Sequence, residues 1–209
     1  MLRGERLSFR YRSNQPWILQ DFSLEVAPGE IVGLMGPSGF GKTTLGKLLA
    51  GYLIPTEGRV TTNGQPLPTR GYCPVQLIFQ NPELAMNPRW RIGKILAEGQ
   101  APSVELLQAL SIHQSWLNRW PHELSGGELQ RIAVARSLNP STRYLIADEM
   151  TAMLDANTQA SLWQVAIEYT RKQELGLLVI SHEEALLKRL CISNTNPQNR
   201  IIDLTKISV

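Results

Sequence analysis

The sequence predicts an α/β fold with a parallel β-sheet at its core and a smaller antiparallel sheet in the N-terminal third. Three observations lead to this prediction. Apolar runs typical of fully buried strands occur at residues 31–35, 75–80, 144–148 and 177–181. A helical stretch separates the last two runs, and strands that alternate with helices are typical of parallel sheets. An Asn-Gly pair indicates a hairpin, which belongs to an antiparallel sheet.

Strands are predicted to open the chain. RLSFRY (6–11) and FSLEV (22–26) alternate apolar with polar side chains, as half-buried strands do. The turn APG (27–29) then leads into IVGLM (31–35), a short run suited to a fully buried strand. The chain therefore enters the parallel sheet at residue 31.

A helix and a hairpin follow. The helix should begin near Lys42 and stop at Gly51, because glycine is favoured just beyond a helix C-terminus. In RVTTNGQPL, Asn63 and Gly64 are the residues of a tight turn, so we expect two strands to pair across them.

The middle of the chain changes in character after the strand VQLIFQ. From residue 81 to about 121 it contains prolines and short amphipathic pieces such as VELLQAL, without strand runs. We predict a small helical insert here. Beyond it, YLIAD and LLVIS form the last two buried strands, with a helix over 157–175 between them and a loop at 193–199.

Length and composition fit one domain that carries a subdomain. The chain has 209 residues, of which 43% are hydrophobic and 19% charged, as is ordinary for a globular protein. Its net charge of +3 is too small to indicate nucleic-acid binding, and no run of consecutive basic residues occurs. We expect no nucleic-acid partner.

The sequence shows no membrane or targeting segment. No apolar stretch approaches the roughly 20 residues that cross a bilayer, and the N-terminus MLRGERLSFRYR alternates charged with apolar residues, unlike a signal peptide. Cys73 and Cys191 are far apart and lack a CxxC context, which is typical of buried thiols in a cytosolic protein. We expect a cytoplasmic protein that only another chain would bring to a membrane.

The stretch GPSGFGKTT lies between the strand IVGLM and the predicted helix. It fits the pattern G-x-x-x-x-G-K-[ST], in which glycines let backbone N–H groups converge on a phosphate at a helix N-terminus. Lysine then adds a charge for the β- and γ-phosphates, and the hydroxyl after it can ligate Mg²⁺. The predicted nucleotide site comprises Gly36, Pro37, Ser38, Gly39, Phe40, Gly41, Lys42, Thr43 and Thr44.

YLIADE places two acidic residues at the end of a buried strand. Asp148 can hold Mg²⁺ directly or through water, and Glu149, which points the other way, can take a proton from an attacking water. Acidic residues at strand ends are common caps when they occur alone. Downstream of a phosphate loop, they favour a hydrolytic site.

LSGGELQRIAVARSL contains a second possible anion site. Ser125 is a good helix N-cap, and Gly126 and Gly127 leave backbone N–H groups exposed at the helix start. An ordinary capped helix would show the same residues. Because the chain has two such cradles and only one matching lysine, the second cradle is expected to serve the nucleotide of another copy.

With these motifs the sequence resembles the ATP-binding cassette (ABC) ATPases along nearly its whole length. LSGGE resembles the family's signature motif, with Glu128 where glutamine is commonest. Gln80 matches the Q-loop, Asp155 ends a D-loop-like MTAMLD, and His182 matches the switch histidine. Tyr11 is similarly placed to the aromatic that stacks on adenine, although a surface strand aromatic is the alternative. His182 has a helix-capping alternative.

The resemblance implies a fold and a mechanism. It implies a P-loop NTPase (RecA-like) parallel sheet core, an antiparallel β subdomain, and a helical subdomain inserted at roughly 81–135, all within a single domain over 1–209. It implies that ATP, with Mg²⁺, is hydrolysed at a dimer interface. The implied roles are catalysis by Glu149, His182 and Gln80, metal binding by Thr43, Gln80 and Asp148, and nucleotide contacts by the phosphate loop, Tyr11, Ser125, Gly126, Gly127 and Asp155.

The chain departs from the family pattern in places. Met150 replaces the proline that usually follows the glutamate, and TAML replaces a more typical TSAL, which can loosen the turn between Glu149 and Asp155. The sequence ends soon after RIIDL, so we expect no regulatory C-terminal domain.

One further stretch, FQNPELAMNPRWRIGKILAE, indicates a particular group within the ABC family. It is similar to a stretch in ATPases of the dipeptide, oligopeptide and nickel importer group, and Asn87, Pro88 and Arg89 carry this similarity. Such a resemblance implies uptake of peptides or nickel and other metal chelates. It implies a second ATPase subunit (homo- or heterodimer), two membrane permeases and an extracytoplasmic solute-binding protein. It also implies a peripheral location at the cytoplasmic face of the inner membrane. The alternatives are an exporter-type ABC ATPase and a soluble ABC ATPase acting in translation or DNA maintenance.

Overall fold

The computed structural model describes residues 1–192 and 196–206, so residues 193–195 of the predicted loop lie outside it. The chain forms two compact units. The first comprises Met1–Leu77, Arg143–Asp148 and Glu174–Val209, and the second comprises Ile78–Thr142 and Glu149–Gln173. Within the described ranges, no helix is long and apolar enough to cross a membrane.

The helices and strands follow the order expected for an α/β chain. The strands are β1 (Leu2–Phe9), β2 (Leu19–Val26), β3 (Ile31–Met35), β4 (Glu57–Thr62), β5 (Gln65–Pro66), β6 (Val75–Ile78), β7 (Tyr144–Asp148), β8 (Gly176–Ile180) and β9 (Arg200–Asp203). The helices are α1 (Lys42–Leu49), α2 (Ile92–Leu96), α3 (Val104–Ala109), α4 (Gly126–Ser137), α5 (Ala156–Lys172) and α6 (Glu184–Leu187).

The first unit contains two sheets. One has the order β2-β1-β4-β5 with antiparallel pairing, and the other has the order β6-β7-β8-β3-β9. β3 pairs in parallel with both β8 and β9, and β7 pairs in parallel with β8. Every residue of β7 and β8 is buried, which explains why their sequences are apolar apart from Asp148 at the end of β7. The predicted combination of a parallel and an antiparallel sheet is confirmed.

The second unit is largely helical. It contains α2 to α5 and short 3₁₀ turns, and the predicted insert lies within its first segment. On α4, Arg136 donates to the carbonyl oxygen of Ala85 and lies 3.1 Å from the carboxylate of Glu98, which ties the helix to the segments before it. α5 belongs to this unit as well, which the sequence did not predict.

Several strands differ from the prediction. β2 begins at Leu19 instead of residue 22, β6 ends at Ile78 instead of residue 80, and β1 ends at Phe9 instead of residue 11. β1 begins at Leu2, four residues before the expected start, because Leu2, Arg3 and Gly4 already pair with β2 and β4. β9 was not predicted. It is a short edge strand without a fully buried residue, so its sequence lacks the pattern of a core strand.

The two cysteines are free thiols. Cys191 is buried and Cys73 is half-buried, as a structural role predicts. Burial raises the pKa of Cys191 to about 11, so this thiol stays protonated at neutral pH.

Gly58 offers a test of the antiparallel sheet. Its φ is 85°, and a β-carbon there would lie 2.3 Å from the carbonyl oxygens of Glu5 and Arg6 on β1. We expect Gly58→Ala to lower the free energy of unfolding by roughly 2–4 kcal/mol, since it adds a backbone clash to a strained φ. Gly64→Ala is the matched control, because φ is 77° there but the site is open. It should cost only about 1–2 kcal/mol. Urea unfolding of both variants measures the difference, and equal costs would contradict this packing.

Candidate functional site

The phosphate loop joins the end of β3 to the start of α1. Gly39 and Gly41 have φ values of 88° and 76°, in the left-handed region that glycine adopts at little cost. A β-carbon at Gly41 would also lie 3.0 Å from the carbonyl oxygen of Ile18. Gly36 is buried, whereas residues 37–40 are exposed. The glycines thus permit a tight loop that solvent can reach.

Lys42 is the first residue of α1, and its side chain folds back over this loop. Its Nζ donates to the carbonyl oxygens of Gly36 at 2.7 Å and Pro37 at 2.8 Å, and the residue is only 8% exposed. The next residue, Thr43, is exposed. Gly41 has no side chain to cap α1, so the N–H groups of the first turn can bind an anion. Positive charge and hydrogen-bond donors therefore meet at one end of α1.

The sheet brings two further predicted residues to the same edge. Asp148, the last residue of β7, pairs with Ile180 on β8, and Ile180 pairs with Leu34 on β3. Asp148 is 3% exposed. His182 lies two residues beyond Ile180 and is exposed. Within the first unit, the phosphate loop, Asp148 and His182 therefore lie at the carboxyl edge of the parallel sheet.

His182 does not cap the helix that follows it. Glu183 is the N-cap residue of α6, and its N–H donates to the Ser181 hydroxyl at 3.0 Å. The helix-capping alternative for His182 is therefore wrong.

Tyr11 is an exposed aromatic in the first unit. It is 56% exposed and contacts Phe9 edge to face, with ring centroids 5.1 Å apart. More than half of this residue is therefore open to solvent, which is compatible with adenine stacking.

In the second unit, Ser125 caps α4 as the sequence predicts. Its hydroxyl accepts the N–H of Glu128 at 3.3 Å, while the Glu128 carboxylate accepts the N–H of Ser125 at 2.7 Å. The hydrogen bond from the Ser125 N–H holds the pKa of Glu128 below its usual value. Glu128 therefore completes a capping box, and a β-carbon at Gly126 would meet no atom within 4 Å.

Gln80 is exposed, and the residue before it, Phe79, is hydrogen-bonded to α4. Gln130 on α4 is 2% exposed, and its Nε2 donates to the carbonyl oxygen of Phe79 at 3.4 Å. This bond links α4 to the residue before Gln80 inside one unit. The sequence signal for this contact is a glutamine between the apolar residues Leu129 and Ile132 of a helix, and the bond itself was not predicted.

Glu149 and Asp155 bracket a compact turn in the second unit. Glu149 has a φ of 47°, and its carbonyl oxygen accepts the N–H of Ala152 at 3.1 Å. Asp155 caps α5 by accepting the N–H groups of Asn157 and Thr158. The hydroxyl of Thr158, followed by its N–H, lowers the pKa of Asp155, so this residue is a carboxylate near neutral pH.

The donor types in the first unit fit a Mg²⁺–nucleotide complex. Mg²⁺ prefers oxygen ligands and is usually held by one or two carboxylates together with substrate phosphates. Asp148 supplies a carboxylate, and the exposed Thr43 supplies a hydroxyl. Lys42 and the N-terminus of α1 supply the positive groups that phosphates require.

A glycine-rich loop between a buried parallel strand and a helix, with a lysine folded over it and an aspartate ending a nearby strand, defines the P-loop NTPase class. The sequence profile of the ABC transporter family matches residues 19–152, and the chain belongs to this family.

The chain is also similar to curated proteins whose names refer to peptide import. It is 34% identical, over 91% of its length, to a protein of Brucella ovis named as a peptide import ATP-binding protein. A Brucella abortus protein with the same kind of name is 34% identical over 79% of the chain. The chain spans 66% of the length of the first relative and 56% of the second.

Solved structures share the fold. A dimeric ATP-binding cassette in a post-hydrolysis state with ADP and Pi has a TM-score of 0.76 at 23% identity, covering 89% of this chain and 90% of that one. An ATP-binding subunit of an ABC transporter has a TM-score of 0.75 at 23% identity, covering 91% of this chain and 82% of the other. At 23% identity, the similarity to these structures shows a shared fold.

Proposed function

We propose that the protein is the ATP-binding subunit of an ABC importer that hydrolyses ATP at a dimer interface to drive uptake of peptides through partner permeases. The observation that carries this proposal is the position of Lys42, whose Nζ is held by two loop carbonyls at the same sheet edge as Asp148. The names of the similar Brucella proteins favour peptides as the substrate.

In this proposal the first unit holds the nucleotide. Residues 36–44 bind the phosphates, with Lys42 on the β- and γ-phosphates, and Tyr11 stacks on adenine. Thr43 and Asp148 would hold Mg²⁺, which neutralises phosphate charge when bound. The single ATPase domain and its helical subdomain near 81–135 are part of the same proposal.

Hydrolysis requires a base that accepts a proton from the attacking water. We assign this role to Glu149, which directly follows Asp148 in the chain. His182 and Gln80 are proposed to respond to the γ-phosphate. Ser125, Gly126, Gly127 and Asp155 are proposed to act on the nucleotide of the partner ATPase, because the open N-terminus of α4 is suited to an anion.

The proposed partners are a second ATPase, two permeases and an extracytoplasmic solute-binding protein. The chain would then lie peripherally at the cytoplasmic face of the inner membrane. Neighbouring genes for a solute-binding protein and two permeases would support import, whereas ribosomal or repair genes would argue against it.

Uptake measurements test the substrate. Deleting the gene should stop accumulation of a labelled oligopeptide, wild-type protein should restore it, and Lys42→Ala should not. Labelled Ni²⁺ is measured in parallel. Loss of nickel uptake alone would assign metal chelates instead of peptides, and unchanged uptake of both would overturn the importer proposal.

Ser125→Arg tests the proposed contact with the partner's nucleotide. We expect the isolated subunit to bind ATP nearly as wild type, while hydrolysis by the assembled transporter is lost, because a bulky cation at the start of α4 prevents closure. Ser103→Arg is the matched control, since Ser103 caps α3 through a comparable 3.2 Å bond from the Leu106 N–H. It should leave hydrolysis largely intact. A large loss of ATP affinity in the isolated Ser125→Arg subunit would show that the motif acts on its own nucleotide.

A further inference from the structure

A buried hydrogen bond joins Thr151, in the turn between Glu149 and Asp155, to Trp163 on α5, and it has no role in the proposed mechanism. We infer that Thr151 and Trp163 are positioning residues, which hold Glu149 in the conformation required of a general base. This inference rests on the proposed function, in which Glu149 takes the proton. All the contacts that support it lie within the second unit.

Glu149 has an unfavourable backbone conformation. Its φ of 47° lies in the left-handed region, which is strained for a residue with a β-carbon. Such a conformation persists only where surrounding contacts hold it. Two turn hydrogen bonds contribute here, from the Ala152 N–H to the Glu149 carbonyl and from the Leu154 N–H to the Thr151 carbonyl, both at 3.1 Å.

The residue after Glu149 is Met150, so no proline restricts the backbone of Glu149. A proline at position 150 would fix its own φ and would restrict the residue before it to extended conformations. Methionine does neither, yet Met150 is only 2% exposed. Methionine thus permits the left-handed conformation of Glu149 but does not fix it, so contacts within the turn have to hold it.

The hydrogen bond between Trp163 and Thr151 supplies such a contact. The Trp163 indole Nε1 donates to the Thr151 hydroxyl at 3.0 Å, and the two residues are 5% and 3% exposed. An indole N–H can only donate, so its burial requires an acceptor at this position. Because water is excluded, the bond is costly to break and fixes Thr151 against α5.

α5 is itself fixed to the same turn at its start. Asp155, its N-cap, accepts N–H groups from Asn157 and Thr158. The turn is thus held at its C-terminal end by Asp155 and near its middle by Trp163. Glu149 lies two residues before Thr151, so a shift of Thr151 displaces the carboxylate directly.

The first experiment measures steady-state hydrolysis by the assembled transporter. Thr151→Val removes the acceptor with little change in shape, and we expect kcat to fall by about 10- to 100-fold while KM for ATP stays unchanged, since small misplacements of a reacting group have effects of this size. Thr151→Ser, which keeps the hydroxyl, should recover most of kcat. Trp116→Phe changes another buried tryptophan of the same unit and is the control that should leave kcat unchanged.

The second experiment places Thr151→Val in a Glu149→Gln background and measures the residual rate in a single turnover. A residue that acts through Glu149 should cause no further loss once the carboxylate is gone. A further loss, a matching rise in KM, or wild-type kcat in Thr151→Val alone would overturn the inference. If Thr151→Val fails to fold by circular dichroism, Trp163→Phe is measured in the same two backgrounds.

The Glu149→Gln variant alone separates this inference from the proposed function. If it hydrolyses ATP at the normal rate, the assignment of the base is wrong. If it is slow while Thr151→Val is not, the base stands and only the positioning role is overturned.

Discussion

Replacing Lys42 with alanine is expected to abolish ATP hydrolysis and to weaken nucleotide binding. The substitution removes a cation from the β- and γ-phosphates, where charge increases during phosphoryl transfer. A hydrogen bond to a charged group contributes roughly 1.5–3 kcal/mol, so ATP affinity should fall by about 10- to 150-fold. The loop carbonyls of Gly36 and Pro37 also lose their donor, which leaves the loop less ordered.

Binding is measured by calorimetry on the isolated subunit and hydrolysis on the assembled transporter. Lys47→Ala is the matched control, because Lys47 lies in the last turn of the same helix. It should bind and hydrolyse ATP as wild type does. Unchanged hydrolysis in purified Lys42→Ala would exclude this loop as the catalytic nucleotide site.

The core of the fold could be predicted because buried parallel strands have a simple sequence signature. β3 has the predicted limits, and β7 and β8 lie where continuous apolar runs occur. β9 could not be predicted, since its residues are half-buried or exposed. Its place beside β3 depends on pairing between Val32 and Arg200, which are far apart in the chain.

The candidate site likewise combines local features, which the sequence predicts, with long-range contacts, which it does not. The phosphate loop and the Ser125 cap are local, because positive φ values and helix capping depend on neighbouring residues. The contacts that support the site are not local. Gln130 and Phe79 are 51 residues apart, and this bond exists only because packing brings α4 to the segment before Gln80.

The departures from the family pattern are also explained by contacts that a sequence motif does not contain. Glu128 in place of glutamine completes the capping box with Ser125. Met150 in place of proline is buried beside a turn that Trp163 holds through Thr151. A glutamine at position 128 could make the same capping box, so that departure preserves the interaction, whereas at position 150 the turn depends on the bond between Trp163 and Thr151.

Glu149→Gln is expected to separate ATP binding from hydrolysis. The amide keeps the shape of the side chain but cannot accept the proton of the attacking water. General-base catalysis contributes about 10²–10⁴-fold, so turnover should fall by that factor. Binding should survive, because Lys42, Thr43 and Asp148 are unchanged. Two cassettes should then close around ATP and remain closed, each presenting Ser125, Gly126 and Gly127 to the nucleotide of the other.

Size-exclusion chromatography with Mg-ATP detects the closed dimer, on the complex or on the subunit with its partner, and phosphate release gives the turnover. Glu168→Gln is the matched control, since Glu168 is an exposed residue of α5 in the same unit and accepts a bond from Gln164. It should hydrolyse ATP normally and elute as wild type. If Glu149→Gln hydrolyses ATP at the normal rate, Glu149 is not the base. His182, at the carboxyl end of β8, then becomes the leading candidate, and His182→Ala should show the loss of turnover instead.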